Sequence, residues 1–140
     1  MTFTVTQKYV NDVAYKVVGA AIEVHKNLGP GLLESVYEEC LIVELKERGL
    51  NVRWQEQVPI FYKGLECTTR LRLDLLVEEL VIVENKSKDG FAPIDKAQAL
   101  TYMKMAEKPK GLLFNFNVIN LTKEGLIPLV NEYFQKLPKE

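Results

Sequence analysis

Two strongly apolar segments of this chain carry charged residues where a buried β-strand ordinarily has none. Asp74 interrupts LRLDLLV, and Glu84 and Lys86 lie near the end of LVIVENK. Leucine, valine and isoleucine in such runs favour strands that bury at least one face. An isolated buried carboxylate costs on the order of several kcal/mol unless a cation or hydrogen bonds compensate it. We therefore predict that the three side chains converge on one site; the alternative is an exposed, salt-bridged face of a sheet.

The loop between the two segments decides whether this site can form. Side chains alternate between the faces of a strand, so Glu84 and Lys86 share one face. A two-residue turn would direct Asp74 to the opposite face. A three-residue loop over 78–80 pairs Asp74 with Glu84 directly, with Cβ atoms about 5 Å apart. We predict this longer loop, or a bulge.

Two carboxylates and an ammonium group are typical of metal-assisted hydrolysis. Asp74 and Glu84 offer the hard oxygen ligands that Mg²⁺ or Mn²⁺ prefers, and the backbone carbonyl of Asn85 is a candidate for a further oxygen. Lys86 is suited to orient or deprotonate the attacking water, or to offset charge on the phosphorus. We predict Mg²⁺ (or Mn²⁺) as the cofactor and a phosphodiester as the substrate.

The bulk properties of the chain exclude some classes of protein. A net charge of −1 argues against coating nucleic acid through bulk electrostatics, although local cations still permit a nuclease. The single histidine, His25, excludes multi-histidine zinc sites. Cys40 and Cys67 lack metal-site spacing and are expected to be reduced thiols. With neither a signal peptide nor a membrane span apparent, we expect a cytoplasmic protein.

Hydrophobic periodicity predicts the elements of a single domain over residues 1–140. The expected helices cover about 7–27, 32–48 and 94–106, and the expected strands about 52–57, 58–62, 69–77, 81–86 and 112–116. The segment 118–140 is ambiguous and fits a strand followed by a helix. A mostly antiparallel meander, then a helical crossover to a parallel strand, predicts an α/β fold with a central mixed sheet flanked by helices.

Several motifs along the chain resemble those of one known family. The stretch GAAIEVHKNLGPGLLESVYEECLIVEL resembles the small GxxExxY proteins, with Gly31, Glu34 and Tyr37 as the signature. The similarity continues in order through VPIFYKG, DLLVEELVIVENK, AQALTYMK and GLLFNFN. That family is similar to the PD-(D/E)xK nuclease-like superfamily. The resemblance therefore implies a restriction-endonuclease-like core.

The resemblance also adds residues to the site. Its motif aspartate and E-x-K pair fall on the three charged residues already described. It implies Glu34, on the second helix, as a further acidic metal ligand, and Gln98 with Tyr102 as a Q-xxx-Y pair on the following helix. Gln98 would orient a ligand or the scissile phosphate, and Tyr102 would hold a base or a phosphate oxygen. Without the resemblance, a first-turn glutamate favoured by the helix dipole and two residues at the core edge explain these positions equally well.

The sequence departs from the family pattern at three positions. Asp95 stands where relatives often carry a histidine, and Leu71 stands where a tyrosine is common. Asn85 replaces the apolar residue usual inside E-x-K, which places a polar side chain on a pleat expected to be covered. None of these changes removes a predicted ligand or the lysine, so we expect an intact site with altered substrate handling.

Two functions from different classes agree with these residues. The first is a Mg²⁺-dependent nuclease whose partner is DNA or RNA, and the second is a non-catalytic module that binds nucleic acid or protein and retains the nuclease fold. Hydrolysis of another phosphate ester is compatible with the same ligands. Cutting both strands with so small a domain favours a homodimer. The candidates for a phosphate-holding rim, or alternatively a solvated basic face, are Arg70, Arg72, Lys88, Lys96, Lys104, Lys108 and Lys110.

Overall fold

The computed structural model describes residues 3–140, which form helices on both sides of a central sheet. The helices are α1 (Gln7–Leu28), α2 (Glu34–Glu47), α3 (Pro93–Ala106), α4 (Leu121–Glu124) and α5 (Glu132–Gln135). The strands are β1 (Val52–Val58), β2 (Phe61–Tyr62), β3 (Leu65–Glu66), β4 (Leu71–Val77), β5 (Val81–Lys86), β6 (Lys110–Asn115) and β7 (Leu126–Val130). No helix within residues 3–140 is long and apolar enough to cross a membrane.

The ends of the first two helices follow from local chemistry. Thr6 caps α1, because its hydroxyl oxygen accepts a hydrogen bond from the N–H of Tyr9 at 3.0 Å. The helix ends at Gly29, whose φ of 72° favours glycine. The second helix begins at Glu34, two residues later than predicted, because Leu33 is extended. Glu34 therefore lies in the first turn of α2.

The main sheet confirms the predicted α/β fold with a central mixed sheet. Its strand order is β1-β4-β5-β6-β7. Strands β5 and β6 are parallel and are connected through α3, whereas the other neighbouring pairs are antiparallel. The tail contributes β7 as an antiparallel edge strand followed by α5, in the order that the strand-then-helix interpretation of 118–140 predicts.

The strand predicted over 58–62 is wrong in part. β1 continues through Val58, and Pro59 follows it outside any strand. Only Phe61–Tyr62 is extended, as β2, and it pairs with β3 instead of with the main sheet. Proline at 59 cannot donate a hydrogen bond to a neighbouring strand, which explains the interruption.

Two apolar clusters cover the two faces of the main sheet. Residues of α1 and α2 pack with Val83 and Phe114 on one face, and residues of α3 pack with Ile82 and Leu73 on the other. The alternation of Ile82 and Val83 between the clusters fixes which face each residue of β5 occupies. Glu84 and Lys86 thus lie on the α3 side, and Asn85 lies on the α1 and α2 side.

Asn85 is a buried polar residue without a compensating hydrogen bond. Its side chain is 1% exposed, and neither its amide nitrogen nor its amide oxygen has a partner among residues 3–140. Asn115 is buried as deeply, at 0% exposed, but its side chain bonds the N–H and the carbonyl of Lys88 at 3.1 and 3.0 Å. An unpaired buried amide destabilises a fold, whereas a paired one supports it.

We expect Asn85→Val to raise the free energy of unfolding by about 1–3 kcal/mol, because valine removes an unpaired amide from an apolar face and favours a strand. Asn115→Val is the matched control and is expected to lower it by about 1–3 kcal/mol, since it removes the amide oxygen that accepts the N–H groups of Lys88 and Asn117. Urea denaturation of both variants measures the difference. A loss of stability in Asn85→Val as large as that in Asn115→Val would contradict this interpretation.

Candidate metal and active site

The register of β4 against β5 agrees with the three-residue loop predicted from the sequence. Leu75 pairs with Val83 and Val77 pairs with Val81, so residues 78–80 form the turn. One step further along the same register, Asp74 lies opposite Glu84. The prediction of a three-residue loop is therefore confirmed.

The carboxylates of Asp74 and Glu84 are held by each other's strands. The N–H of Asp74 donates to the Glu84 carboxylate at 2.9 Å, and the N–H of Asn85 donates to the Asp74 carboxylate at 2.9 Å. These two bonds lie just beyond the last backbone pair of the β4–β5 ladder, Leu75 with Val83. Hydrogen bonds from backbone N–H groups fix the orientation of both carboxyl groups as well as their position. The two acidic groups are thus fixed side by side where the strands separate.

Side chains of β4 alternate between the two faces of the sheet, but this alternation is offset by one residue at Asp74. Leu71 and Leu73 pack in the α3-side cluster, whereas Leu75 packs in the cluster beneath α1 and α2. Gln55, which lies opposite Asp74 on β1, has a φ of 53°, a value that is uncommon for a residue other than glycine. This irregularity directs Asp74 toward α2 as well as toward Glu84.

A cavity of about 540 Å³ opens beside Asp74. Its lining residues are Leu33, Glu34, Ser35, Glu38, Gln55, Arg72 and Asp74. The Gln55 amide donates to both carboxylate oxygens of Glu38, at 2.8 and 3.1 Å. Arg72 in turn donates to the amide oxygen of Gln55 at 3.5 Å. The site thus includes a polar wall that runs from α2 to β4.

Sequence reasoning did not assign Glu38 or Gln55 to the site. Glu38 lies four residues after Glu34 and hence on the same face of α2. This spacing could have indicated from the sequence that Glu38 lies at the site. Gln55 offers no such signal, because its role depends on an irregular backbone conformation in β1.

The residues implied on α3 lie on the side of the sheet that carries Glu84 and Lys86. The ammonium of Lys86 donates to the amide oxygen of Gln98 at 3.2 Å. Burial, followed by the charge of Glu84, raises the pKa of Tyr102, which packs against the α3-side cluster. The structure therefore brings Gln98 and Tyr102 to the pair of strands that holds the acidic residues.

Burial raises the pKa values of the three acidic residues of the site, and the charge of Asp74 adds to this effect at Glu84 and Glu34. Burial first, and the charge of Asp74 second, raise the pKa of Glu84 to about 8. Burial also raises the pKa of Asp74, although the Asn85 N–H and the Lys86 ammonium act in the opposite direction. The pKa of Glu34 is raised by burial and by Asp74. Such a cluster is one that a cation would stabilise.

The donor set fits a hard divalent cation in part. Asp74 and Glu84 bring two carboxylates together, and Mg²⁺ commonly takes one or two carboxylates with water and substrate phosphate completing its shell. Within residues 3–140, however, no group of three or more histidine, cysteine, aspartate or glutamate side chains is arranged to hold a metal ion. The participation of Glu34 and of the Asn85 carbonyl stays a prediction.

Other residues singled out in the sequence lie outside the acidic site. The carboxylate of Asp95 accepts the N–H of Ala92 at 2.7 Å and pairs with Lys88 at 2.5 Å, so it stabilises the start of α3. Lys110 begins β6 and pairs with Val81, at the end of β5 away from Lys86. Of the two interpretations left open for Lys110, a phosphate rim at the site is therefore excluded, because Lys110 lies at the opposite end of the strands.

Comparison with known protein families gives one match. The family model described as PD-(D/E)XK nuclease superfamily matches residues 11–127, a range that contains every residue of the site described above. Neither the curated proteins nor the solved structures yielded a match to this chain. The narrower GxxExxY resemblance stays a prediction.

Proposed function

The chain belongs to the PD-(D/E)XK nuclease superfamily, and we propose that it is a nuclease that hydrolyses phosphodiester bonds with a divalent metal ion. The observation that carries this proposal is the paired arrangement of Asp74 and Glu84, in which each carboxylate is fixed by an N–H of the other strand. Lys86 lies on the same face as Glu84, within one pleat of it. The proposed substrate is a nucleic acid, either DNA or RNA.

Asp74 and Glu84 are the proposed ligands of Mg²⁺ or Mn²⁺, with Glu34 and the backbone carbonyl of Asn85 as further oxygen donors. When bound, such a cation supplies Lewis-acid activation of water and stabilisation of charge on the phosphate. Burial raises the pKa values of both Asp74 and Glu84, and the charge of Asp74 raises that of Glu84 further, so a cation beside them would stabilise their charged forms. The chain's own residues therefore favour a cation at this position.

Lys86 is the proposed partner of the reacting water and phosphate. Its ammonium is fixed by Gln98 at 3.2 Å, so it is presented with a defined orientation. From there it orients the water or offsets the negative charge that develops on the phosphate oxygens. Gln98 acts by positioning Lys86, and Tyr102 is proposed to contact a base or a phosphate oxygen.

A second candidate function is a non-catalytic module that keeps the nuclease fold and binds nucleic acid or protein. The observation in its favour is that no third acidic side chain joins Asp74 and Glu84 in metal-binding geometry within the described residues. The two functions differ in their need for metal, because a binding module retains its affinity when divalent cations are removed.

The test of the proposed function is cleavage of labelled single-stranded and double-stranded DNA and RNA, with Mg²⁺ and with excess EDTA. Wild-type protein is expected to cleave only with Mg²⁺. Asp74→Asn is expected to lose about a hundredfold or more in rate, because Lewis-acid activation contributes several kcal/mol. Asp12→Asn, an exposed aspartate on α1, is the matched control. Cleavage in EDTA, or full activity of Asp74→Asn, would exclude this mechanism.

A further inference from the structure

The β2–β3 hairpin carries apolar side chains that contribute nothing to either core cluster. Its strands pair Phe61 with Glu66 and Tyr62 with Leu65, so the two pairs face opposite sides. Phe61, Tyr62 and Leu65 are 60%, 67% and 75% exposed. A two-stranded hairpin gains little stability by itself, and exposed apolar side chains such as the Tyr62–Leu65 pair on one side and Phe61 on the other are typical of a contact surface. The exposed apolar side chains of the hairpin are therefore not explained by a contribution to folding.

Positive charge follows the hairpin toward the acidic site. The segment 60–72 contains three cationic side chains, Lys63, Arg70 and Arg72, against one carboxylate, Glu66. This local excess contrasts with the net charge of −1 for the whole chain. The ammonium of Lys63 lies 5.5 Å from the centre of the Tyr62 ring. The two aromatic side chains are thus followed by three cations along this segment.

The segment leads directly into the site. β4 begins at Leu71, which pairs with Val58 at the base of the hairpin. Asp74 follows three residues later, which is about 10 Å along a strand. A ligand that contacts both the base of the hairpin and the carboxylate pair spans this distance along β4.

Arg72 lies between the hairpin and Asp74 and is available to a phosphate. It lines the same cavity as Asp74 and donates to the neutral amide of Gln55. Among residues 3–140, Arg72 forms no salt bridge. Arg70 does pair with Glu66 at 3.4 Å, but both side chains are about half exposed, and such pairs contribute little. A guanidinium in this position is suited to bidentate binding of a phosphate.

We propose that the β2–β3 hairpin and Arg72 form a binding arm for unpaired nucleotides, which lead the strand into the Asp74–Glu84 site. Bases stack on Tyr62 and on Phe61, which lie on opposite sides of the hairpin, so the strand passes around its edge, and the phosphate nearest the site binds Arg72. Stacking is tolerant of sequence, because every base has a π-face. The proposal rests on the proposed function for its substrate class and deepens it, since it selects single-stranded or locally unpaired nucleic acid.

A second copy of the chain is a poorer occupant of the same surface. In a two-fold symmetric contact each residue meets its own neighbourhood on the partner. The segment carries three cations against one carboxylate, so two copies would bring surfaces of the same net positive charge together, which disfavours the contact. A nucleic-acid strand fits this surface better, because its bases can stack on the exposed rings and its phosphates can bind the cations.

The test measures binding by fluorescence anisotropy, with labelled single-stranded DNA, single-stranded RNA and a matching duplex as probes. The buffer contains Ca²⁺ in place of Mg²⁺, and the readout does not depend on cleavage. The double variant Phe61→Ala, Tyr62→Ala is expected to bind single strands about tenfold or more weakly, and Arg72→Gln about tenfold more weakly. Tyr62→Phe keeps the ring and is expected to retain most of the binding that the double variant loses.

Tyr15→Ala is the matched control, because Tyr15 is 81% exposed on α1, away from the hairpin. Unchanged binding in the double variant, or no binding of single strands by the wild type, would overturn the proposal. So would wild-type dimerisation, measured by light scattering, that the double variant abolishes without a change in nucleic-acid binding. Loss of binding in the hairpin variants of a protein that cuts no substrate would support the arm and count against the proposed nuclease activity alone.

Discussion

Lys86→Ala is expected to lower the rate of phosphodiester cleavage by about a hundredfold or more while the fold stays intact. The side chain lies at the end of β5, is only half-buried and contacts Gln98 through its ammonium, so its removal leaves the core unchanged. Loss of a positioned acid–base or charge-stabilising group reduces rates by about 10²–10⁴-fold. Single-turnover cleavage with Mg²⁺ measures the effect, and thermal melting followed by circular dichroism reports the fold.

Lys88→Ala provides the comparison for Lys86→Ala. Lys88 is two residues away but pairs with Asp95 instead of with the carboxylates of the site. Its replacement is expected to change the rate by far less. Equal losses in the two variants would point to general phosphate attraction and would remove Lys86 from its proposed role.

Glu84→Gln is expected to make the metal-free protein more stable at alkaline pH, by on the order of 3 kcal/mol. The pKa of Glu84 is raised from 4.5 to about 8 in the folded state. A carboxyl group with a raised folded-state pKa contributes stability that is complete below the unfolded pKa and is lost as pH rises through the folded pKa. Wild-type stability is thus expected to fall between about pH 4.5 and pH 8, and glutamine, which stays neutral, removes this fall.

The measurement is urea denaturation in EDTA at several pH values across this window. Glutamine keeps an oxygen that can accept the N–H of Asp74, so the two proteins are expected to differ little at the acidic end. Glu124→Gln, on the short helix α4, is a control for loss of one carboxylate elsewhere. A constant difference between wild type and Glu84→Gln at all pH values would show that the buried charge is not the cause.

The sequence was sufficient to predict that Asp74 and Glu84 lie together, because the alternation of side chains along β5 and the length of the β4–β5 loop lead to the same arrangement. Alternation along LVIVENK puts Glu84 and Lys86 on one face, and a three-residue loop is the connection that brings Asp74 opposite Glu84. Any other register leaves an uncompensated charge among apolar residues. Burying an uncompensated charge costs much free energy, so the correct pairing of β4 with β5 is predictable.

The wall of the cavity was not predictable in the same way. It depends on the positive φ of Gln55 and on the change at Asp74 in which face of the sheet successive β4 side chains occupy. No residue type in β1 predicts either feature. The position of Lys110 relative to the site was not predictable for a different reason. Composition indicates that lysines are present, but only the parallel pairing of β5 with β6 shows which end of the sheet each lysine occupies.

The most direct test of the central claim is a calorimetric titration of Mn²⁺ into wild type and into Glu84→Gln, each with and without a single-stranded oligonucleotide. If Asp74 and Glu84 hold the cation, the wild type binds Mn²⁺, nucleic acid strengthens the binding, and Glu84→Gln loses it under both conditions. Equal binding by the two proteins would place the metal elsewhere. No binding to the wild type even with nucleic acid present would leave a nuclease fold without metal-dependent chemistry.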